Sequence, residues 1–102
     1  VSYTWEKSFI ISNPLITATI NVVGAPEVDQ EQTIDVNISN ARTIESNGIV
    51  VIEIRKVDDT LVTTLESALI VTIGAGSNWT KSYTWTPTEA GDYKVIINYI
   101  ET

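Results

Sequence analysis

The chain has no cysteine, no histidine and no methionine. That inventory removes thiol nucleophiles, disulfides, imidazole general bases and Cys/His metal sites together. Positive charge is scarce as well. Six Lys and Arg stand against thirteen Asp and Glu, for a net charge of −7. The six (Lys7, Arg42, Arg55, Lys56, Lys81 and Lys94) are scattered and form no patch. Nucleic acid is therefore not an expected partner, because neutralising phosphates takes clustered Lys or Arg. Anionic lipid is not expected for the same reason. No apolar run approaches the roughly 20 residues of a membrane helix.

What is present is β-branched. Hydrophobic residues make up 43% of the 102 positions, mostly Ile and Val, with Thr prominent among the polar ones. Such residues favour strands. The length suits one domain with a modest core. Period-two alternation runs through Ile16, Ala18, Ile20 and Val22, and again through Ile34, Val36 and Ile38. It implies strands with one buried face and one wet face. Gly48–Val57 is apolar on both faces at its start, as a central strand would be. Turn signals at Gly24-Ala25-Pro26, Asn40-Ala41-Arg42, Ser46-Asn47-Gly48, Asp58-Asp59, Gly74-Ala75-Gly76-Ser77 and Pro87 through Gly91 divide the chain regularly. The expected strands are 2–12, 15–23, 33–40, 48–57, 61–66, 68–73, 78–86 and 92–100. Short strands at this spacing indicate a sandwich or barrel.

From about Leu15 to Ile100 the order of motifs resembles the immunoglobulin-like domains of bacterial and archaeal surface proteins, most closely the cell-adhesion-related family. The motifs are the strand TIDVNISN, the Gly-led strand NGIVVIEI, and the run VTIGAGSNWTKSYTWTPTEAGDY with its Pro-to-Gly-x-Tyr corner. The resemblance implies an all-β, immunoglobulin-like antiparallel β-sandwich over 14–102, in which Gly91 and Tyr93 form a structural corner. Tyr93 would hydrogen-bond back to the turn. It also implies one more strand after the corner strand. Only Glu101 and Thr102 follow here, while an extra segment, 1–13, precedes the domain.

That front segment is amphipathic. Val1, Tyr3, Trp5, Phe9 and Ile11 share one face, interrupted by Lys7, and Asn13-Pro14 breaks the strand. Inserted beside strand 92–100, five such side chains would each contribute roughly 1.5–3 kcal/mol on burial. The segment either pairs within its own chain or is donated to a neighbouring copy by β-strand addition. Head-to-tail donation builds a filament unless the rotation closes, and in this respect the chain is similar to donor-strand-exchanging archaeal filament (pilus or thread) subunits.

Other candidate chemistry is thin. Glu27, Asp29 and Glu31 alternate as oxygen ligands for Ca²⁺ could, but lack the Gly and register of a calcium loop, so a solvated acidic turn is expected. The glycines of GAGS precede no Lys or helix and read as a turn. Asn37-Ile38-Ser39 and Asn78-Trp79-Thr80 fit the N-glycosylation acceptor pattern. Trp79, Tyr83 and Trp85 share a face with Lys81 and are expected to pack on the core; if exposed, they would offer a sugar platform. Lys7 and Lys81 interrupt apolar faces as snorkelling side chains do, or as one partner of an isopeptide crosslink.

The expectation is a non-enzymatic, extracellular or cell-surface protein without cofactor or metal. Val1 in place of Met suits cleavage of a secretion signal. The preferred function is a homopolymeric, pilus-like filament subunit with residues 1–13 as donor. The alternative is an adhesion or surface-layer-binding module, such as the soluble domain of an appendage accessory protein, whose partner is a surface-layer protein or glycan.

Overall fold

Alternating Ile and Val rows force the long strands to bury one face each, and the described residues form seven strands in two facing sheets. A computed structural model describes residues 5, 6, 8, 9 and 15–102. Its strands are β1 (Ser8–Phe9), β2 (Ile16–Val23), β3 (Gln32–Asn40), β4 (Ser46–Lys56), β5 (Leu61–Ile73), β6 (Ser77–Trp85) and β7 (Tyr93–Glu101). One sheet has the order β1-β7-β4-β5 and the other β2-β3-β6. Every pairing is antiparallel except that of β1 with β7, which is parallel. The chain crosses between sheets after β1, β3, β5 and β6, and the fold is an immunoglobulin-like β-sandwich.

The core is a single aliphatic layer. Ile34, Val36 and Ile38 of β3 face Val50, Ile52 and Ile54 of β4 and Val95 and Ile97 of β7, all at most 2% exposed. At the 6% level come Ile16 and Val71 from the outer strands. Trp79, Tyr83 and Trp85 on the inner face of β6 are half-buried and pack against this cluster. The β5–β6 turn is made by Gly74 to Ser77, with the Ser77 amide donating to the Gly74 carbonyl at 3.1 Å and Gly76 at φ 66°. Glycine meets no steric penalty in that left-handed conformation.

The expected break near Ser67 does not occur. Residues 61–66 and 68–73 form one continuous strand whose register against β4 slips three times. Val50 pairs with Leu69 but Ile52 with Glu66, so one extra residue of β5 is accommodated between them. Such a bulge turns a side chain to the other face. Glu66, opposite the inward-facing Ile52, is thereby aimed at β6, where its Oε1 accepts from Lys81 Nζ at 2.6 Å and from Tyr83 OH at 3.0 Å. This clasp joins the two sheets at their β5/β6 side. It holds the Glu66 carboxyl below the usual range, first through Lys81, and burial together with Glu66 holds the Tyr83 hydroxyl above its own.

At one end of the sandwich a polar network fixes β7. Ser46 Oγ gives its single proton to Glu101 Oε2 at 2.5 Å, so Tyr99 OH is the donor in its own 2.5 Å contact with Ser46 Oγ. Arg42 pairs with both oxygens of Glu101. Asn40, 1% exposed, donates to the Ile44, Ile73 and Gly74 carbonyls and accepts from Arg42. The Tyr99 ring reaches this network by lying over Gly48. A Cβ there would sit 2.5 Å from Tyr99 Cε1 and 2.8 Å from the Ile100 carbonyl. Gly48→Ala is expected to destabilise the fold by about 1–3 kcal/mol through overpacking, measured by urea unfolding. In a Tyr99→Ala background the added cost should shrink, because the larger clash is then gone.

Candidate functional site

The edge of β7 is where the fold has to be completed. β7 sends Tyr93, Val95, Ile97 and Tyr99 into the core, none more than 5% exposed. β4 pairs with it along one side from Tyr93 to Glu101. On the other side lies the front segment of the same chain. Ser8 pairs with Asn98 and Phe9 with Tyr99 in parallel register, and the Glu6 amide donates to the Val95 carbonyl at 2.9 Å. Trp5 packs half-buried against the core. An open cleft of about 270 Å³ lined by Trp5, Glu6, Thr19 and Ile20 marks the seam where this segment meets β2 of the facing sheet. Of the expected donor residues, Trp5 and the Phe9 backbone are thus placed beside β7. Val1, Tyr3 and Ile11, like Lys7, lie outside the described residues.

An ion cluster clips the segment down. Lys94, on the outer face of β7 with its side chain 10% exposed, pairs with Asp59 of the β4–β5 turn and, at 3.5 Å, with Glu6. Asp59 reaches it from a left-handed turn position, φ 72°, which Asp tolerates better than most residues. Its neighbour Asp58 accepts from the Thr60 amide at 2.9 Å, and hydrogen bonding from Thr60 holds its carboxyl below the usual range. Asp59, then Glu6, hold the Lys94 ammonium above the ordinary lysine value of 10.5. A raised lysine contributes stability that is complete below 10.5 and is lost as pH climbs through the folded-state value. On the lysine side the clip is therefore intact at neutral pH and is lost in strong alkali.

Sequence reasoning singled out Lys7 and Lys81 and passed over Lys94. The available signal was a lone Lys within the apolar run YKVIINYI, opposite the polar face of the front strand. Lys81 pairs with Glu66 at the half-exposed rim of the sandwich. The Tyr93 hydroxyl donates to the Glu89 carbonyl at 2.6 Å, and its ring meets Trp85 edge-on with centroids 5.0 Å apart. Glu27, Asp29 and Glu31 are all exposed, and no group of three carboxylates among the described residues could hold a metal ion. Asn37 lies mid-strand in β3, and Asn78 is exposed near the start of β6.

If the ion cluster is what seats the front segment, Lys94→Met should raise hydrogen exchange at the Glu6 amide several-fold while the amides of β3 stay protected. Equal acceleration in both places, read by NMR, would mean that Lys94 acts on global stability instead.

No protein-family model matches the chain, and no curated protein does. Among solved structures, the CARDB domain of the PF1109 protein from Pyrococcus furiosus, crystallised in complex with di-metal ions, superposes with a TM-score of 0.58 at 17% identity, over 90% of this chain and 93% of that one. Cj0090 from Campylobacter jejuni superposes with a TM-score of 0.55 at 15% identity, over 90% of this chain and 95% of its own. At such identities the likeness is one of fold: the chain has the sandwich architecture of a CARDB domain.

Proposed function

We propose that this protein is a structural subunit of an extracellular, pilus-like filament, held together by donation of the front segment of one copy to the β7 edge of the next. One observation carries the reading: the edge of β7 that bears four core side chains is covered by the chain's own N-terminal segment, in parallel. Parallel pairing is slightly less stable per residue than antiparallel pairing. A strand arriving from a neighbouring copy is free of its own chain's direction and can run antiparallel in the same place. Exchange then replaces a weaker internal pairing with a stronger external one, and because donor and acceptor surfaces differ, it propagates head to tail. The opposite edge of the same sheet is unsuited to this role, since β5 is bulged in three places.

The second reading is a self-complemented adhesion or surface-layer-binding module at the cell surface, as the CARDB-like architecture suggests. It is favoured by the pairing of β1 with β7 inside one chain. The metal ions of the Pyrococcus domain are not carried over, because the described carboxylates here do not converge. No catalytic role is assigned to any residue.

Sedimentation of the purified protein separates the two readings. The filament reading expects large assemblies that survive dilution, loss of those assemblies in Trp5→Asp, and shortening of wild-type assemblies by excess peptide copying residues 1–12. A single 11.2 kDa species at every concentration, indifferent to that peptide, would leave the module as the answer.

A further inference from the structure

The outer face of the β2-β3-β6 sheet looks away from the β7 edge and has a chemistry of its own. Thr19, Asn21, Asp35, Asn37, Thr80 and Ser82 line a shallow open groove of about 480 Å³ on it. The short hydroxyl and amide side chains leave room above the sheet, and the Ser82 hydroxyl donates to Asp35. No aromatic ring lines the groove.

The two N-x-Ser/Thr patterns meet on this face. In the β3–β6 register Asn37 stands opposite Thr80, and Ser39 opposite Asn78. Each middle residue points inward: Ile38 is 1% exposed, and Trp79 packs against the core. Each Asn therefore shares the outer face with its hydroxyl partner two residues on. The two sites are not equivalent. Asn78 is exposed, is the second residue of β6, follows the Gly74–Ser77 turn directly, and lies on an edge strand. Asn37 sits in the middle of the central strand, paired on both sides. Its Oδ1 is buried and has no hydrogen-bond partner among the described residues. Asn37 is half-buried where Asn78 is exposed, so Asn78 is the more accessible acceptor.

We infer that Asn78 is a glycan attachment site, and that the first sugars of the glycan lie over the hydroxyl-rich groove. The transfer joins the anomeric carbon of a lipid-phosphate-linked saccharide to Asn78 Nδ2. It breaks the bond from that carbon to phosphate oxygen and releases the lipid phosphate and one amide proton. Thr80 and Ser82, exposed on the same face of the same strand, offer their hydroxyl groups to those first sugars. The glycan stands on the sheet opposite the one that holds β1, so its attachment is independent of how the β7 edge is filled.

The test is glycopeptide mass mapping of the protein recovered from the cells that naturally produce it. The Asn78 peptide should carry the added mass. Thr80→Ala, which leaves Asn78 in place, should lose all of it, and Thr80→Ser should keep it. An unmodified Asn78 peptide in the wild type, or added mass carried by Asn37 and unaffected by Thr80→Ala, overturns the assignment.

Discussion

A strand that carries core side chains cannot leave one of its edges open to water. β7 is such a strand. Its inward row of Tyr93, Val95, Ile97 and Tyr99 is buried as deeply as the centre of the molecule, so an uncovered edge would expose apolar surface and unpaired backbone groups together. The rest of the architecture follows from this requirement. The front segment is amphipathic because it has to cover a core, and Glu6 on its polar side meets a lysine that is nearly buried.

The two ends of β7 are held in different ways. Near Glu101 the strand is tied by neutral and ionic hydrogen bonds that satisfy each other in sequence, from Tyr99 through Ser46 to the carboxylate and Arg42. Removing one member would leave another buried and unpaired, which is why such networks resist piecemeal change. Near Tyr93 the strand is tied by its own corner hydrogen bond and by the Lys94 cluster, whose partners Asp59 and Glu6 are largely exposed. Exposed ion pairs contribute little and are screened by salt. The tight end is thus the one built from the body of the domain, and the front segment runs from the looser end, at Val95, toward it, at Tyr99.

Much of this was legible before any coordinates. The alternation in 16–22 and 33–40 marks both the strands and their inward faces, because Ile, Val and Ala fall strictly on even positions there. Gly48 was read as a turn residue, but its role is to make room for a ring fifty-one positions later, and no local pattern encodes that. β5 defeated the reading because bulges shift the phase of alternation and can pass for a strand break. Glu66, an even residue facing inward, is the consequence. Gln32 and Asn40 are polar yet 1% exposed. They close the ends of the inward row of β3, where backbone carbonyls of the adjoining loops are within reach. The two acceptor patterns were visible as separate motifs, but their facing register emerges only once β3 and β6 are paired. For the front segment, the apolar face was plain and the identity and direction of its partner strand were not, since alternation is the same in either direction.

The three register slips in β5 have a consequence beyond the clasp they create. Ile70 is 81% exposed on that strand, with Leu61 and Val62 exposed at its other end, and a straight strand of this composition would be an ordinary seed for amyloid-type stacking. Each offset tilts the backbone donors and acceptors out of the common plane, so a second strand laid alongside would find no continuous ladder. Sideways stacking of copies along this edge is thereby opposed over 61–69, although the strand carries a bare isoleucine just beyond.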